Sequence, residues 1–316
     1  MINKELKSTR QGYGEALLDL GTENKIVVLT ADLAESTKTN LFAKKYPERF
    51  FQSGVAEANM IGMAAGLALS GKISFVSSFA AFIPNRALDQ IRVSVCYNNA
   101  NVKLASTHAG LTVGEDGATH QALEDIAIMR SLPNMTVVVP CDYEEAKKAT
   151  IQTANLKGPV YLRLGRNNLP IITGERTPFH IGKAEYFKKG EDVTIIACGI
   201  MVSKAMQAAE ELLKENIHAE VINCHTIKPI DFEKIINSSK KTGCVVTAEE
   251  HQKFGGLGSA VSEILAKSNP VPVEFVAVND VFGESGKSDE LLEKHSLTSQ
   301  AIILAAKKVM KRKKNK

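Results

Sequence analysis

Several classes of protein are excluded by what this sequence does not contain. Its five cysteines, Cys96, Cys141, Cys198, Cys224 and Cys244, form no C-x-x-C pair. Four of them lie in or beside strand-like apolar runs and Cys96 lies in a helical one. They read as small buried hydrophobes in a reducing compartment. No stretch reaches the apolar length of a membrane span. Residues 1–11 are polar and hold no apolar signal region, so a cytoplasmic protein is expected. There is no repeat of solenoid period and no cluster of carboxylates with the character of a Mg²⁺ site. The net charge is +4, and Lys307, Lys308, Lys311, Arg312, Lys313, Lys314 and Lys316 outweigh it, leaving the remainder mildly acidic. Nothing interleaves aromatics with these basic residues, as single-strand binders do. The basic end reads as a frayed, solvated terminus rather than a nucleic-acid or membrane contact.

The composition that remains, 44% hydrophobic and 23% charged over 316 residues, suits a globular chain of about two domains. Short β-branched runs alternate with helical patterns. Strands are expected at 26–29, 50–55, 73–78, 102–107, 135–139 and 160–164. Helices are expected from Ser8 or Thr9 to Gly21, and over 58–69, 85–97, 121–130 and 143–154. Residues 167–192, with Pro170, Gly174, Pro178, Gly182 and Gly190, break the rhythm. A second unit follows, with strands at 193–197, 219–223, 244–248 and 273–278. Its helices fall over 202–214, 230–236 and 257–266, and a last one begins at Thr298. The reading is therefore an α/β fold of two open, mostly parallel sheets. Its parts are a first domain over 1–170, a linker over 171–192 and a second domain over 193–316.

One carboxylate stands out. Glu57 lies where a strand ends and an apolar helix begins, and Gly71 closes that helix. Burial in apolar surroundings disfavours a charged carboxylate, whereas a helix N-terminus favours it. Such a group can be tuned to exchange a proton. Alone, Glu57 reads more readily as a residue capping its own helix. Open parallel sheets bind ligands beyond the carboxyl ends of their strands. Asp32, Glu57, Phe79, His108 and Arg166 all fall at or just after such ends. Taken singly, Phe79 and Phe82 read as core, and His108 and His120 as loop hydrogen-bonding residues.

Three stretches taken in order change that weighting. Ser-Gly-Val-Ala-Glu-Ala-Asn surrounds Glu57, Phe79 and Phe82 follow a strand, and Gly-Glu-Asp-Gly-x-Thr-His-Gln spans 114–121 with His108 eight residues before Asp116. Together they resemble the transketolase family, over nearly the whole chain but only the C-terminal half of a full-length member. The resemblance implies a pyrimidine-binding domain followed by a transketolase C-terminal domain, with thiamine diphosphate as cofactor. Glu57 would hydrogen-bond ring nitrogen 1′ of the aminopyrimidine, so that the 4′-nitrogen takes the proton from the thiazolium carbon. Phe79 and Phe82 would wall the pyrimidine, with Asn85 where a third aromatic is usual, and Asp32 would lie near the cofactor. Arg10, Ser36, His108 and Arg166 would contact the phosphate end of a sugar phosphate, where a guanidinium donates two parallel bonds. Arg163 ranks below Arg166. Asp116 would read a sugar hydroxyl, and His120 would stand near the reacting carbons. Glu57, His108 and His120 are the catalytic candidates.

The family holds the diphosphate on a divalent cation, Mg²⁺ or Ca²⁺, through a motif beginning Gly-Asp-Gly, and this chain has none. The resemblance therefore implies the C-terminal subunit of a split transketolase, with the cation held by an N-terminal-type partner subunit. It also implies self-association through the pyrimidine domain, two copies with two partners. Rival readings are the beta subunit of a 2-oxoacid dehydrogenase first component, a fragment like 1-deoxy-D-xylulose-5-phosphate synthase, and a scaffold without turnover. Asp116, His120 and Glu115 favour transketolase over the first two, and Glu57 speaks against the last. The glycines after Thr247-Ala248-Glu249-Glu250-His251 could cradle an anion, but the second domain is expected to serve chiefly in assembly.

Overall fold

The structure, a computed structural model, describes residues 3–313. Its larger sheet has seven strands in the order Thr226–Lys228, Thr136–Val138, Val160–Arg163, Val102–Thr107, Ile73–Phe79, Ile26–Thr30, Phe50–Gln52. Six of these run parallel, and Thr226–Lys228, which comes from the second half of the chain, closes one edge antiparallel. Strands Ile26–Thr30 and Val102–Thr107 are buried along their whole length, on both faces of the sheet, while the edge strand Phe50–Gln52 is partly exposed. Alternate residues go to opposite cores. Val27 and Leu29 pack with Met60, Ile61, Ala64 and Ala65 of helix Glu57–Leu69. Ile26 and Val28 pack with Tyr13 and Leu17 of helix Thr9–Leu20 and Ala146 and Ala149 of helix Tyr143–Asn155. The carboxyl ends of the parallel strands consequently share one edge, with helices on either side of it.

A second sheet has five strands in the order Val273–Val278, Val245–Gln252, Val193–Ala197, Ala219–Asn223, Glu185–Lys188, the last antiparallel. The mixed, mostly parallel α/β class read from the sequence is the observed one. Ser8 caps the first helix, its Oγ accepting from the Gln11 amide at 3.3 Å. All five cysteines are buried free thiols. Among the described residues no helix is long and apolar enough to cross a membrane.

Departures from the sequence reading have local causes. The strand expected over 50–55 stops at Gln52, because Gly54 turns the chain at φ +70°. The helix expected over 85–97 begins earlier, as Ile83–Gln90. It breaks at Ala87 (φ −132°, ψ 21°) and continues as the π-helix Ile91–Tyr97. Residues 167–192 are not plain linker, since Asn168–Ile171 pairs antiparallel with Asn3–Ser8 and Glu185–Lys188 edges the second sheet. Nor is the basic end frayed through residue 311. Helix Ser299–Lys311 carries it, Lys307 pairs with Glu215, and Lys308 and Arg312 share Glu274. Residues 314–316 of that basic run lie outside the described residues.

Candidate active site

The segments that follow five of the parallel strands carry the candidate residues at the carboxyl edge of the larger sheet. Glu57 opens helix Glu57–Leu69 and is 3% exposed. Its carboxylate does not cap that helix. It accepts from Ser78 Oγ at 3.3 Å, and Arg86 Nη1 reaches both of its oxygens at 3.1 Å. Ser78 stands one residue before the end of strand Ile73–Phe79, so the sheet itself places it under Glu57. Arg86 is more exposed, at 45% of its side chain, and its guanidinium lies 3.8 Å from the centre of the Phe82 ring. Phe82 and Arg86 are four residues apart on one helical turn, and so share a face. The anion is thus neutralised by a group that solvent can reach.

The aromatic wall is continuous. Phe79 and Phe82 stack with ring centres 5.5 Å apart, and His108 stacks on Phe79 at 3.9 Å. His120 meets Phe82 edge-on at 5.3 Å. His108 follows strand Val102–Thr107 and takes φ +56°, a left-handed conformation that non-glycine residues seldom adopt outside turns and sites. Asp32, just past the end of strand Ile26–Thr30, does the same at φ +60°. Asp32 is exposed, and its amide donates to the side chain of Gln52 at 2.6 Å.

Positive groups gather beside the wall. Arg10 Nη1 donates to the Ser36 carbonyl at 2.9 Å and lies 3.4 Å from His108 Nε2. Arg10 meets the backbone of Ser36, not its hydroxyl. Arg10 Nε is buried with no partner. Burial, and then neighbouring Arg166, push the Arg10 guanidinium below its ordinary value. Burial, with Arg10, Arg166 and His120 close by, lowers His108 to about 3, so its imidazole stays neutral near neutral pH. Arg166 Nη1 donates to the Val113 carbonyl and lies 3.8 Å from Glu115 and 3.6 Å from Asp116. Of the side chains singled out for sugar contact, Arg10 thus lies against His108 and Arg166 against Asp116.

Arg163 points elsewhere. It is buried between the two halves of the chain, 2.8 Å from Asp125, and donates to the carbonyls of Ala122 and Glu250. Asn85 donates to Glu124 at 3.2 Å and to the Ala81 carbonyl at 3.0 Å. The sequence reading missed Ser78 and Arg86. The four-residue step from Phe82 was the signal available for Arg86. In the second domain, the glycine-rich helix start is already filled, because Glu249 accepts from the amides of Leu257 and Gly258 at 2.7 and 2.8 Å. No group of three or more His, Cys, Asp or Glu among the described residues is arranged to hold a metal ion.

This site is a buried acid beneath an aromatic wall, rimmed by arginine and histidine at the strand ends of a parallel sheet. Residues 6–171 match the family model of the transketolase pyrimidine binding domain, and residues 182–302 match that of the transketolase C-terminal domain. The chain belongs to the transketolase family. It is 51% identical to a Methanocaldococcus jannaschii protein named for the C-terminal section of a transketolase, over 98% of this chain and 97% of that one. It is 46% identical to the 6-deoxy-6-sulfo-D-fructose transketolase subunit SqwH of Clostridium sp. (strain MSTE9), over 96% and 95%. Its fold superposes at a TM-score of 0.90 and 49% identity on a solved structure described as a split gene transketolase, inactive beta4 tetramer, covering 97% and 99%.

Proposed function

We propose that this chain is the C-terminal subunit of a split transketolase. With an N-terminal-type partner it transfers a two-carbon ketol unit from a ketose phosphate to an aldose phosphate. Bound thiamine diphosphate would supply the nucleophilic carbon for breaking and forming the carbon–carbon bond. The observation that carries this reading is Glu57, a carboxylate almost shut off from water, opening beside the faces of Phe79 and Phe82. That arrangement fits the aminopyrimidine half of the cofactor, which is planar and offers a ring nitrogen to a carboxyl group. Glu57 holds and returns a proton at its carboxyl oxygens. Ser78 fixes the position of one oxygen, and Arg86, nearly half exposed, is the partner that would give way to a bound pyrimidine. Arg10, Arg166 and neutral His108 orient the anionic end of the sugar. Asp116 accepts from a sugar hydroxyl, and His120 donates near the reacting carbons. The diphosphate and its Mg²⁺ or Ca²⁺ belong to the partner.

Self-association has support on the outer side of the same domain. Helices Glu57–Leu69 and Ile83–Gln90 pack together and, with their flanks, expose Val55, Met63, Leu69, Leu88, Val93 and Tyr97. A β-carbon at Gly62 or Gly66 would meet nothing within 4 Å, so that helix face is open to a second copy.

The test compares the chain alone with the chain plus partner. Ketol transfer and hydrogen–deuterium exchange at the thiazolium carbon are expected only in the complex. Glu57→Gln is expected to slow that exchange about a hundredfold or more, in line with general acid–base roles, with assembly intact. Full ketol transfer by the lone chain would overturn the split-subunit reading. Unchanged exchange in the Glu57→Gln complex would overturn the role of Glu57.

A further inference from the structure

The second domain grips the loop on which His108, Asp116 and His120 ride. Thr112 is buried at the centre of that loop, and both of its backbone groups are held from the second domain. Its amide donates to Glu250 Oε1 at 2.7 Å, and its carbonyl accepts from Ser288 Oγ at 3.1 Å. Gly110 takes φ +84° and lies flat against the same carboxylate, where a β-carbon would come within 2.2 Å of Glu250 Cδ. Toward the far end of the loop, Arg163 Nη2 donates to the carbonyls of both Ala122 and Glu250, and the Gln252 amide donates to the Leu123 carbonyl at 2.7 Å. Gln121 Nε2 donates to the carbonyl of Glu284 at 2.9 Å.

We propose that Glu250 is a positioning residue for sugar recognition: by holding the Thr112 amide, the second domain sets where Asp116 and Arg166 stand. The linkage is short. Thr112 and Asp116 lie on the short segment Leu111–Asp116, which kinks between them at Gly114 (φ 84°, ψ −123°), so a shift at Thr112 reaches Asp116 through that kink and through Arg166, 3.6 Å from Asp116. The next carbonyl along, that of Val113, is the one Arg166 binds, so the same displacement releases the guanidinium. A fully buried carboxyl is costly, and burial here raises its value to about 7. An apolar residue would fill the space at less cost but would leave the Thr112 amide buried without an acceptor. The second domain, expected to serve chiefly in assembly, is thereby part of the substrate machinery. This inference rests on reading the loop as sugar-binding.

The experiment uses the complex with the N-terminal-type partner and the variants Glu250→Ala, Glu250→Gln and Ser288→Ala. Amide hydrogen exchange across residues 110–117 is expected to quicken about tenfold or more in Glu250→Ala relative to the rest of the chain. The Michaelis constant for phosphorylated sugars is expected to rise about tenfold, with kcat and thiazolium exchange changing much less. Glu250→Gln, which keeps an acceptor, recovers most of both effects, and Ser288→Ala shows them in the same direction at smaller size. If Glu250→Ala does not fold, Ser288→Ala and Glu250→Gln still report on the loop. An unchanged loop with an unchanged Michaelis constant would overturn the proposal. So would a loss in which thiazolium exchange and kcat fall as far as the Michaelis constant rises, without recovery by Gln. An unmodified complex with no thiazolium exchange would instead sink the thiamine reading, and loop amide exchange would still decide whether Glu250 holds Thr112.

Discussion

Glu57 and Glu249 occupy comparable places in two parallel sheets, and their surroundings are opposite. Each lies toward the carboxyl edge of its sheet, Glu57 after strand Phe50–Gln52 and Glu249 within strand Val245–Gln252, beside the start of a helix with one buried face. Glu249 is spent on that helix. Both of its oxygens accept amides of the first turn, and a β-carbon at Gly256 would come within 2.0 Å of Oε2. Glu57 gives nothing to its own helix and is held by a serine and by an arginine that is nearly half exposed. The strand-end position alone does not make a site. A carboxylate bound to fixed backbone donors is structure, whereas one held by a buried serine and an arginine that solvent reaches keeps a side open for chemistry.

The contrast is broken most forcefully at Glu249. Glu249→Ala removes two charge-assisted bonds and leaves two amides of a buried helix start unsatisfied. At roughly 1.5–3 kcal/mol for each such bond, a loss of about 3 kcal/mol or more is expected in denaturant unfolding. Thiazolium exchange in whatever complex remains folded should be close to normal. Glu57→Gln should do the reverse, costing little stability and nearly all exchange. Equal destabilisation by the two substitutions would erase the distinction.

A third buried carboxylate sharpens the comparison, because it titrates without touching the site. Glu145 accepts from the Cys141 amide and from Asn223 Nδ2, both at 2.7 Å, where the two halves of the chain meet. Burial raises it to about 7. Its native value thus lies above its unfolded value, so its contribution is full below the ordinary carboxyl range. That contribution is lost as pH rises toward and through 7. Glu145→Gln should flatten this fall, by on the order of 3 kcal/mol in the difference between pH 4.5 and pH 8. His108 and His225, both lowered to about 3 by burial, weaken the fold as pH falls below the ordinary imidazole range. They are common to both chains, so the difference between the two pH profiles isolates Glu145. Parallel profiles would mean that Glu145 keeps its ordinary titration.

Much of this architecture is legible from the sequence because it is local. The strands Ile26–Thr30, Val102–Thr107 and Val193–Ala197 are continuous buried runs, and the helix after Glu57 is bounded by its own glycine. Pairings decided by distant chain are not legible. Thr226–Lys228 is too short to announce itself and is a strand only because Thr136–Val138 offers it an edge. Asn3–Ser8 is polar and pairs only because Asn168–Ile171 comes alongside. The candidate site divides in the same way. The residues of contiguous motifs could be named in advance, and the structure gathers Phe79, Phe82, His108 and His120 into one wall, with Glu57 joined to it through Arg86. Arg86 had only its four-residue step from Phe82 to mark it, and Glu250 had no local signal, because what it touches depends on a second domain folding back over the loop.

The smallest expected effect lies at the rim, where two of the proposed sugar contacts hold each other. Arg166 lies within 3.6 Å of Asp116 and 3.8 Å of Glu115, and its side chain is about a third exposed. An incoming phosphate must compete with those carboxylates for one guanidinium. On the proposed reading it would bring more charge than either and could take two parallel bonds, which favours it over them. A charge-assisted contact of this kind is worth roughly 1.5–3 kcal/mol. Arg166→Ala is therefore expected to raise the Michaelis constant for phosphorylated sugars by about ten- to a hundredfold, with unphosphorylated sugars affected much less. A sulfonate-bearing sugar, with a single negative charge, should fall between them. The measurement is a set of Michaelis constants for the three kinds of substrate with unmodified and variant complexes. Equal losses on all three would mean that Arg166 serves the loop through the Val113 carbonyl and not the anion. The anionic end of the sugar would then rest on Arg10, whose buried Nε is the donor left without a partner.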